Sequence, residues 1–159
     1  MSNQKEGDLI TFELTLDVPY RWSAGEHVSR FLKELRDEGK IYCNVCPKCG
    51  RAHVPPRPVC GRCNVRMGEW KELSDKGTVL IFNIFEQGFW DPTYGKHREV
   101  PHTIALIQLD GPPCVFTHLL EETDVNKLRV GMRVQAVFKP KEMRRGHIRD
   151  IVHFKTIEE

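Results

Sequence analysis

The pattern of apolar and polar positions changes along the chain, and each change marks a different kind of segment. Residues 9–18 read LITFELTLDV and alternate apolar and polar side chains with a period of two. This period, with aromatic and β-branched residues in the run, predicts a strand with one buried face. Either the strand adds to the edge of a later sheet, or it is an arm that docks on a partner protein.

The following segment has the period of a helix. Its apolar residues recur at i, i+3, i+4 and i+7, which places them on one face of an amphipathic helix over residues 24–38. Ser23 and Glu26 have the spacing of a capping box at its start, and Gly39 is a natural stop at its end. The apolar face consists of Val28, Phe31, Leu32 and Leu35.

This helix has two alternative roles. Its apolar face either packs on the chain's own next segment or is presented to another protein. Two aromatic residues stand just ahead of the helix, and aromatic residues are enriched at protein interfaces. The predicted partner-binding residues of the arm and helix are Tyr20, Trp22, Phe31 and Leu35.

From residue 73 onward the pattern is that of a β domain. Five short strands over some eighty residues predict a compact five-stranded barrel, either an OB-fold or the competing SH3-like topology. The predicted strands are residues 77–86, 102–110, 114–121, 133–140 and 147–154. The chain is therefore predicted to have an N-terminal arm and helix (1–40), a small cysteine-rich module (41–72) and a barrel (73–159).

A long connection interrupts the predicted barrel. Residues 87–101 read QGFWDPTYGKHREVP and have no periodicity, and a loop of this length inside a compact domain is usually functional or disordered. Its aromatic and basic side chains suit a ligand with a flat ring and phosphates, or a protein interface. The residues predicted to face that ligand or partner are Phe89, Trp90, Tyr94, Lys96 and Arg98.

Composition limits the possible ligands and the expected cellular location of the protein. The chain has 159 residues, of which 29% are charged, and a formal net charge of only +2, so a nucleic-acid role would need a local basic patch. No apolar run approaches the ~20 residues that span a bilayer, and the polar N-terminus lacks the apolar core of a signal peptide. A cytoplasmic location with no membrane association is expected. Clustered thiols there indicate a metal site, because that compartment keeps cysteines reduced.

Five of the six cysteines fall within residues 43–63, and backbone chemistry selects four of them. In a CxxC metal knuckle, the residue after the second cysteine often needs a positive φ, which glycine adopts freely and asparagine tolerates. Gly50 follows Cys46-Pro47-Lys48-Cys49, and Asn64 follows Cys60-Gly61-Arg62-Cys63. Pro47 follows Cys43-Asn44-Val45-Cys46, but proline has a fixed negative φ and no amide hydrogen to donate.

The predicted metal ligands are therefore Cys46, Cys49, Cys60 and Cys63. Their spacing, C-x2-C-x10-C-x2-C, is typical of a tetrahedral all-thiolate zinc site, although iron fits the same cage. Four thiolates leave no position for water or substrate, so the expected role of the ion is structural. Cys43 is left outside the site, as an alternative ligand or redox thiol at most, and Cys114 is expected to be a buried, inert thiol.

The order of these segments resembles the DUF35 family, which combines a rubredoxin-like zinc ribbon with an OB-fold. The resemblance covers nearly the whole chain. It is carried by AGEHVSRFLKELRDEGKI, CPKCGRAHVPPRPVCGRC, GEWKELSDKGTVLIFNIF, VPHTIALIQLDGPPCVFTHLL, LRVGMRVQAVF and IRDIVHF. It implies a mainly β fold, with an N-terminal helix and a rubredoxin-like zinc ribbon followed by a five-stranded OB-fold barrel.

The resemblance also implies a function. Family members look like non-catalytic partners of acyl-CoA enzymes, including thiolases, and their barrel can lie against the acyl-CoA site of the partner. The expected role is a scaffold subunit in a hetero-oligomer with a thiolase, for instance one that acts on an aromatic acyl-CoA such as benzoylsuccinyl-CoA. Acyl-CoA would then bind at the shared site.

Two other function classes fit the sequence less well. Independent catalysis lacks support, because the seven histidines show no HExxH spacing and no nucleophile motif is present. His118 and His153 are expected on strands and facing solvent. A single-stranded nucleic-acid binder is the alternative function, since OB-folds and zinc ribbons both serve that purpose and residues 139–149 are basic. That basic cluster also fits the phosphates of CoA or a solvated hairpin.

Overall fold

The computed structural model describes residues 23–91 and 95–158. The predicted strand over residues 9–18, the aromatic residues Tyr20 and Trp22, and Tyr94 lie outside these residues. The described chain forms one α-helix, two 3-10 helices (Lys141–Met143 and Ile148–Asp150) and ten strands. These are α1 (Gly25–Asp37), β1 (Ile41–Val45), β2 (Ala52–His53), β3 (Trp70–Leu73), β4 (Lys76–Phe85), β5 (Trp90–Asp91), β6 (Lys96–His97), β7 (His102–Leu109), β8 (Val115–Leu120), β9 (Arg133–Phe138) and β10 (Ile151–Thr156).

Five strands close into a barrel in the order β10-β8-β7-β4-β9. Strand β10 runs parallel to β8, whereas the other pairs in the barrel are antiparallel. Numbered from β4 along the chain, the strands follow one another around the barrel as 1-2-3-5-4. This is the topology of an OB-fold, so the OB-fold prediction is confirmed over the SH3-like alternative.

A small three-stranded sheet, β2-β1-β3, lies ahead of the barrel and carries the cysteine-rich module. Its strand β1 connects two environments. Ile41 and Cys43 are buried in the main hydrophobic core, which also contains barrel residues such as Val79 and Phe154. Cys46, directly after β1, belongs to a separate small cluster of buried residues.

The helix α1 begins at Gly25 and has Ala24 as its N-cap, without a side-chain cap bond. The predicted capping box is wrong: Ser23 lies one residue too early, and its Oγ accepts a hydrogen bond from the amide of Gly25 at 3.1 Å instead. The predicted stop is confirmed, since Gly39 has a φ of +67°. Helix period alone does not distinguish a cap from a polar residue next to it.

Phe31 and Leu35 are fully buried in the chain's own core. They are therefore not available to a partner, and their assignment to a partner-binding surface is wrong. The reason is that the apolar face of α1 covers the core formed by β1 and the barrel, which is the usual fate of such a face. Of the predicted helix and arm residues, this leaves Tyr20 and Trp22 untested.

Four barrel strands lie within two residues of their predicted bounds, and the fifth differs. The predicted strand over residues 147–154 begins as the 3-10 helix Ile148–Asp150, and β10 starts only at Ile151. The Asp150 side chain accepts hydrogen bonds from the amides of Arg145, Gly146 and His147, which bends this segment into a compact turn. A carboxylate that captures nearby amides competes with strand pairing.

His118 also departs from the prediction that it faces solvent. It lies on the inward face of β8, is buried, and stacks on Phe116 with ring centroids 5.6 Å apart. Its Nε2 lies 3.4 Å from the carbonyl oxygen of Ile148. Burial lowers the pKa of His118, so its neutral form is favoured inside the barrel.

The strand β4 needs a glycine where it meets β7. A Cβ added to Gly77 would lie 2.5 Å from the Gln108 carbonyl oxygen and 2.8 Å from a methyl group of Ile107. We therefore expect Gly77→Ala to destabilise the barrel by about 1–3 kcal/mol, because the backbone of β7 has to move. Gly61→Ala is the matched control, since a Cβ there meets nothing within 4 Å. Denaturant unfolding of both variants checks this, and equal midpoints would contradict the close approach.

The part of the chain that the structure describes contains no helix with the length and apolar character needed to cross a membrane.

Candidate functional site

Two knuckles of the small sheet bring four cysteines together. One follows β1 and contains Cys46 and Cys49, and the other contains Cys60 and Cys63 beside the bridge between Val59 and Arg66. Their four sulfur atoms all lie within 4.8 Å of one another. These are the cysteines that the sequence predicted.

The two knuckles repeat the same backbone geometry. The amide of Gly50 donates to the carbonyl of Cys46, and the amide of Asn64 donates to the carbonyl of Cys60, both at 2.9 Å. Gly50 has a φ of +70° and Asn64 a φ of +51°. The positive φ values predicted from the residue types are therefore confirmed. Asn64 is the one residue other than glycine with a positive φ in the described ranges 23–91 and 95–158.

The spacing of the sulfurs fits a tetrahedral metal ion. Zn–S bonds of about 2.3 Å imply a separation of about 3.8 Å between any two sulfurs of a tetrahedron. The Sγ atoms of Cys49 and Cys60 lie 3.8 Å apart. The arrangement thus fits zinc, and iron in the same all-sulfur geometry, while leaving no fifth position for substrate.

Neighbouring groups in the cluster shift the pKa values of two of these thiols in opposite directions. Backbone amides, first that of Cys63 and then that of Arg62, donate to the Cys60 sulfur and lower the pKa of that thiol to about 6. A hydrogen bond with Cys49 has the opposite effect and raises the pKa of the Cys63 thiol to about 12. Four negative charges at these distances repel each other, so a dication is needed to hold all four sulfurs as thiolates.

Cys43 lies outside the cluster, as predicted. Its side chain is fully buried in the main core, next to Cys114, which is also buried. Burial raises the pKa of both thiols, that of Cys114 to about 12. Both are therefore neutral thiols with little nucleophilic character, in agreement with the inert role expected for Cys114.

Asn44 is a structural residue that the sequence pattern did not reveal. Its side chain is fully buried, donates to the carbonyl of Arg57 at 2.6 Å, and accepts from the Arg57 amide at 3.2 Å. This double hydrogen bond fixes the proline-rich link between the knuckles against β1. A polar residue within the apolar run IYCNVC was the available signal.

The loop over residues 87–101 contains a two-stranded β-ribbon. Trp90 of β5 lies opposite His97 of β6, and their rings meet edge to face at 5.6 Å. Phe89 and Trp90 are both exposed, and the Arg98 guanidinium lies 5.3 Å from the centre of the Phe89 ring. Four of the five predicted residues are therefore grouped at one place, and Tyr94 is outside the described residues.

A cavity of about 460 Å³ opens beside this ribbon, between the loop and the barrel. Lys96, Arg98 and Arg149 bring positive charge to its wall, and Glu99 is the acidic residue among those that line it. His102 completes the wall and stacks on Phe85 at 5.0 Å. Its Nδ1 lies 3.1 Å from the Glu99 carbonyl oxygen, which can only accept, so this nitrogen carries the proton.

The basic stretch over residues 139–149 is partly used in folding. The Nε of Arg144 donates to the carbonyl of Lys139, and its guanidinium lies 5.5 Å from the centre of the Phe138 ring. This arginine therefore stabilises its own loop. Asp150 holds the same segment through three backbone amides, so the stretch is a structured turn.

Comparison with known families matches both halves of this architecture. Residues 33–66 match the model of the ChsH2 rubredoxin-like zinc ribbon domain, and residues 70–139 match that of the ChsH2 C-terminal OB-fold domain. A curated relative from Pyrococcus furiosus, named a DUF35 domain-containing scaffold protein, is 30% identical over 112 residues. That match covers 69% of this chain and 76% of the relative.

The chain belongs to the DUF35 family.

Two solved structures share the fold of this DUF35 protein. One is described as an Ltp2-ChsH2(DUF35) aldolase, with a TM-score of 0.58 and 18% identity; the match covers 85% of this chain and 98% of the other. The second is a DUF35 family protein of unknown function from Sulfolobus solfataricus, with a TM-score of 0.51 and 22% identity, covering 80% of this chain and 81% of the other. At these identities the similarity concerns the fold.

Proposed function

We propose that this DUF35 protein is a non-catalytic scaffold subunit of an acyl-CoA-processing enzyme. The observation that carries the proposal is the sulfur cage of Cys46, Cys49, Cys60 and Cys63, whose geometry leaves an ion no open position for substrate. A metal held there would shape the ribbon and take no part in a reaction. The Pyrococcus furiosus relative is itself named a scaffold protein, which supports the same role.

The partner we propose is a thiolase in a hetero-oligomer with this chain. The family resemblance favours an acyl-CoA enzyme, and one solved structure of the same fold is described as an aldolase that contains a DUF35 component. The finer proposal is a thiolase for an aromatic acyl-CoA such as benzoylsuccinyl-CoA. Tyr20 and Trp22, which precede α1, remain the proposed contacts of the N-terminal arm with this partner.

The cavity beside the ribbon is the proposed point of approach to the acyl-CoA. Phe89 and Trp90 offer exposed flat rings, and Lys96 and Arg98 offer positive charge within the same region. Acyl-CoA carries an adenine ring and phosphates, so both kinds of group have a complement in the ligand. This chain would then supply one wall of a shared site while the partner supplies the reacting groups.

The test is purification of the chain from its native cells with a C-terminal tag, followed by identification of the proteins that remain bound. We expect an acyl-CoA enzyme in roughly equal amount, and thiolytic activity only when both chains are present. The isolated chain is expected to show no turnover. A preparation that contains no acyl-CoA enzyme, or turnover by this chain alone, would overturn the proposal.

A nucleic-acid role has its own measurement. Salt-sensitive binding of a single-stranded oligonucleotide by the isolated chain would favour the alternative function, because phosphate contacts release counterions. We expect no such binding, since Arg144 and Asp150 tie the basic stretch into a structured turn.

A further inference from the structure

The barrel has an outer face that is apolar where a solvent-exposed face is usually polar. Side chains alternate between the two sides of β4, β7 and β8, and the inward positions fill the core. The outward positions of the three strands carry an unusual number of apolar residues. We name these the outer barrel face: Ile81, Phe85, Ile104, Leu106, Val115 and Leu119.

Strand register makes these residues neighbours. Leu106 is opposite Ile81 on one side, and Ile104 is opposite Leu119 on the other. The patch is also exposed: the relative accessibility is 58% at Ile81, 36% at Leu106 and 42% at Val115. Scattered single apolar residues are normal on a surface, whereas a contiguous patch is typical of an interaction site.

A shift of register in β4 creates this face. The pairing of β4 with β7 shifts by one residue between Val79 and Ile81. Val79 is fully buried before the shift, and Ile81 points outward after it. A regular strand would place both on the same side, so the irregularity moves Ile81 from the core to the surface beside Leu106.

Of the remaining outward positions, Lys76 at the start of β4 is the one occupied by an Asp, Glu, Lys or Arg residue. The others are Thr78 and Asn83 on β4, Gln108 and His102 on β7, and Thr117 on β8. The neighbouring strands differ, since β9 presents the half-buried Arg133 and β10 the exposed Lys155. In a chain that is 29% charged, a single Asp, Glu, Lys or Arg residue among the outward positions of three adjacent strands is a depletion of charge, which is typical of interface centres.

One end of this face borders the basic cavity. Leu119 of the outer barrel face and His102 next to that face also line the cavity with Lys96, Arg98 and Arg149. The surface is therefore an apolar centre with a positive rim at the end that borders the cavity, where the Lys96 Nζ also lies 3.8 Å from a carboxylate oxygen of Glu99. A second copy of the chain would bring the same positive rim with it. A partner whose apolar patch is bordered by carboxylates has the complementary charge.

We propose that the outer barrel face is the docking surface for the partner enzyme, which contributes an apolar patch edged by acidic side chains. This assignment rests on the proposed function, because it places the scaffold's partner on the barrel. It also locates the cavity at the edge of the interface. A ligand held there would contact both proteins.

The test uses a negative charge in the centre of the face. Leu106→Glu and Ile81→Glu place a carboxylate against the partner's apolar patch and acidic rim, and both sites are exposed, so folding is expected to be retained. Val125→Glu is the matched control, because Val125 is 64% exposed and lies outside the face. Each variant is expressed with a C-terminal tag in the native cells, and thermal unfolding confirms that it is folded.

We expect wild type and Val125→Glu to co-purify with the acyl-CoA enzyme. Each of the two face variants is expected to recover an amount of that enzyme that is lower by roughly tenfold or more. High salt is expected to weaken the wild-type complex through the positive rim. If all variants retain the enzyme equally, the docking surface is wrong while the scaffold function stands. If wild type retains no acyl-CoA enzyme, the proposed function and this inference both fall.

Sedimentation of the isolated chain tests whether a second copy of the chain, rather than the partner enzyme, covers the outer barrel face. We expect a monomer for wild type and for all three variants. A wild-type dimer that Leu106→Glu dissociates would show that a second copy covers the face, and would overturn the proposal. Deletion of residues 1–22 tests whether the chain's own N-terminal segment covers the face. If it does, the deletion increases binding of an apolar dye, and Leu106→Glu abolishes that increase.

Discussion

Cys60→Ser is expected to abolish metal binding and unfold the zinc ribbon. The small cluster around the knuckles contains Met67 and Val65 besides the four cysteines, so the ligands themselves are most of its core. A segment of this size does not bury enough apolar surface to fold alone, and a structural metal takes over that role. Loss of one sulfur from the cage therefore removes both an ion ligand and a core residue.

Elemental analysis and hydrogen exchange measure this effect. Wild type is expected to contain one metal ion per chain, and Cys60→Ser none. The amides of Gly50 and Asn64, which are hydrogen bonded within the knuckles of wild type, are expected to exchange rapidly in Cys60→Ser. Cys43→Ala is the control, because Cys43 is buried but lies outside the cluster. Full metal content in Cys60→Ser, or loss of metal in Cys43→Ala, would contradict the ligand assignment.

Asp150→Ala is expected to lower the free energy of unfolding by about 3–5 kcal/mol. The carboxylate is fully buried and accepts from the amides of Arg145, Gly146 and His147 at distances between 2.7 and 3.1 Å. Its removal leaves the three backbone amides of the turn without their charged acceptor, and hydrogen bonds to charged groups are the strong ones. Denaturant unfolding at neutral pH measures the loss. Asp124→Ala is the control, since Asp124 is only half-buried, and we expect a loss of about 1 kcal/mol there.

Asp150 also predicts a dependence of stability on pH. Burial on its own raises the pKa of this carboxyl, but the hydrogen bonds from His147, Arg145 and Gly146 outweigh it, so the pKa lies below its usual value. A depressed pKa in the folded state contributes stability above the unfolded pKa, and this stability is lost as pH falls through the folded pKa. The gap between wild type and Asp150→Asn should narrow from about pH 7 to about pH 3. A gap that is constant or widens would contradict the charge assignment.

The parts of the fold that rest on local chemistry were predictable from sequence. The metal ligands could be chosen because Gly50, Asn64 and Pro47 differ in the φ values they allow, and this is a property of single residues. The barrel strands follow from period-two patterns, since an alternating strand buries one face in any barrel. The OB-fold order of those strands came from the resemblance, because alternation does not say which strands are neighbours.

The errors concern features that the local pattern of apolar and polar residues does not determine. Phe31 and Leu35 form an apolar stripe that suits either a core or a partner, and the burial in the chain's own core is decided by β1 and the barrel. His118 sits at an inward position of β8 because its register with β7 is set across the sheet. The turn before Ile151 depends on Asp150 capturing amides up to five residues away, which competes with the strand that the pattern predicts.

The path of β1 has a mechanical consequence for an assembly. Cys43 is fixed in the core shared with the barrel, and Cys46, three residues later, enters the metal cluster. On the other side of the small sheet, Leu73 of β3 is buried in that shared core, and β4 follows at Lys76. Such short connections leave no hinge between ribbon and barrel. Two proteins bound to the zinc ribbon and to the barrel would therefore be kept at a constant separation and angle.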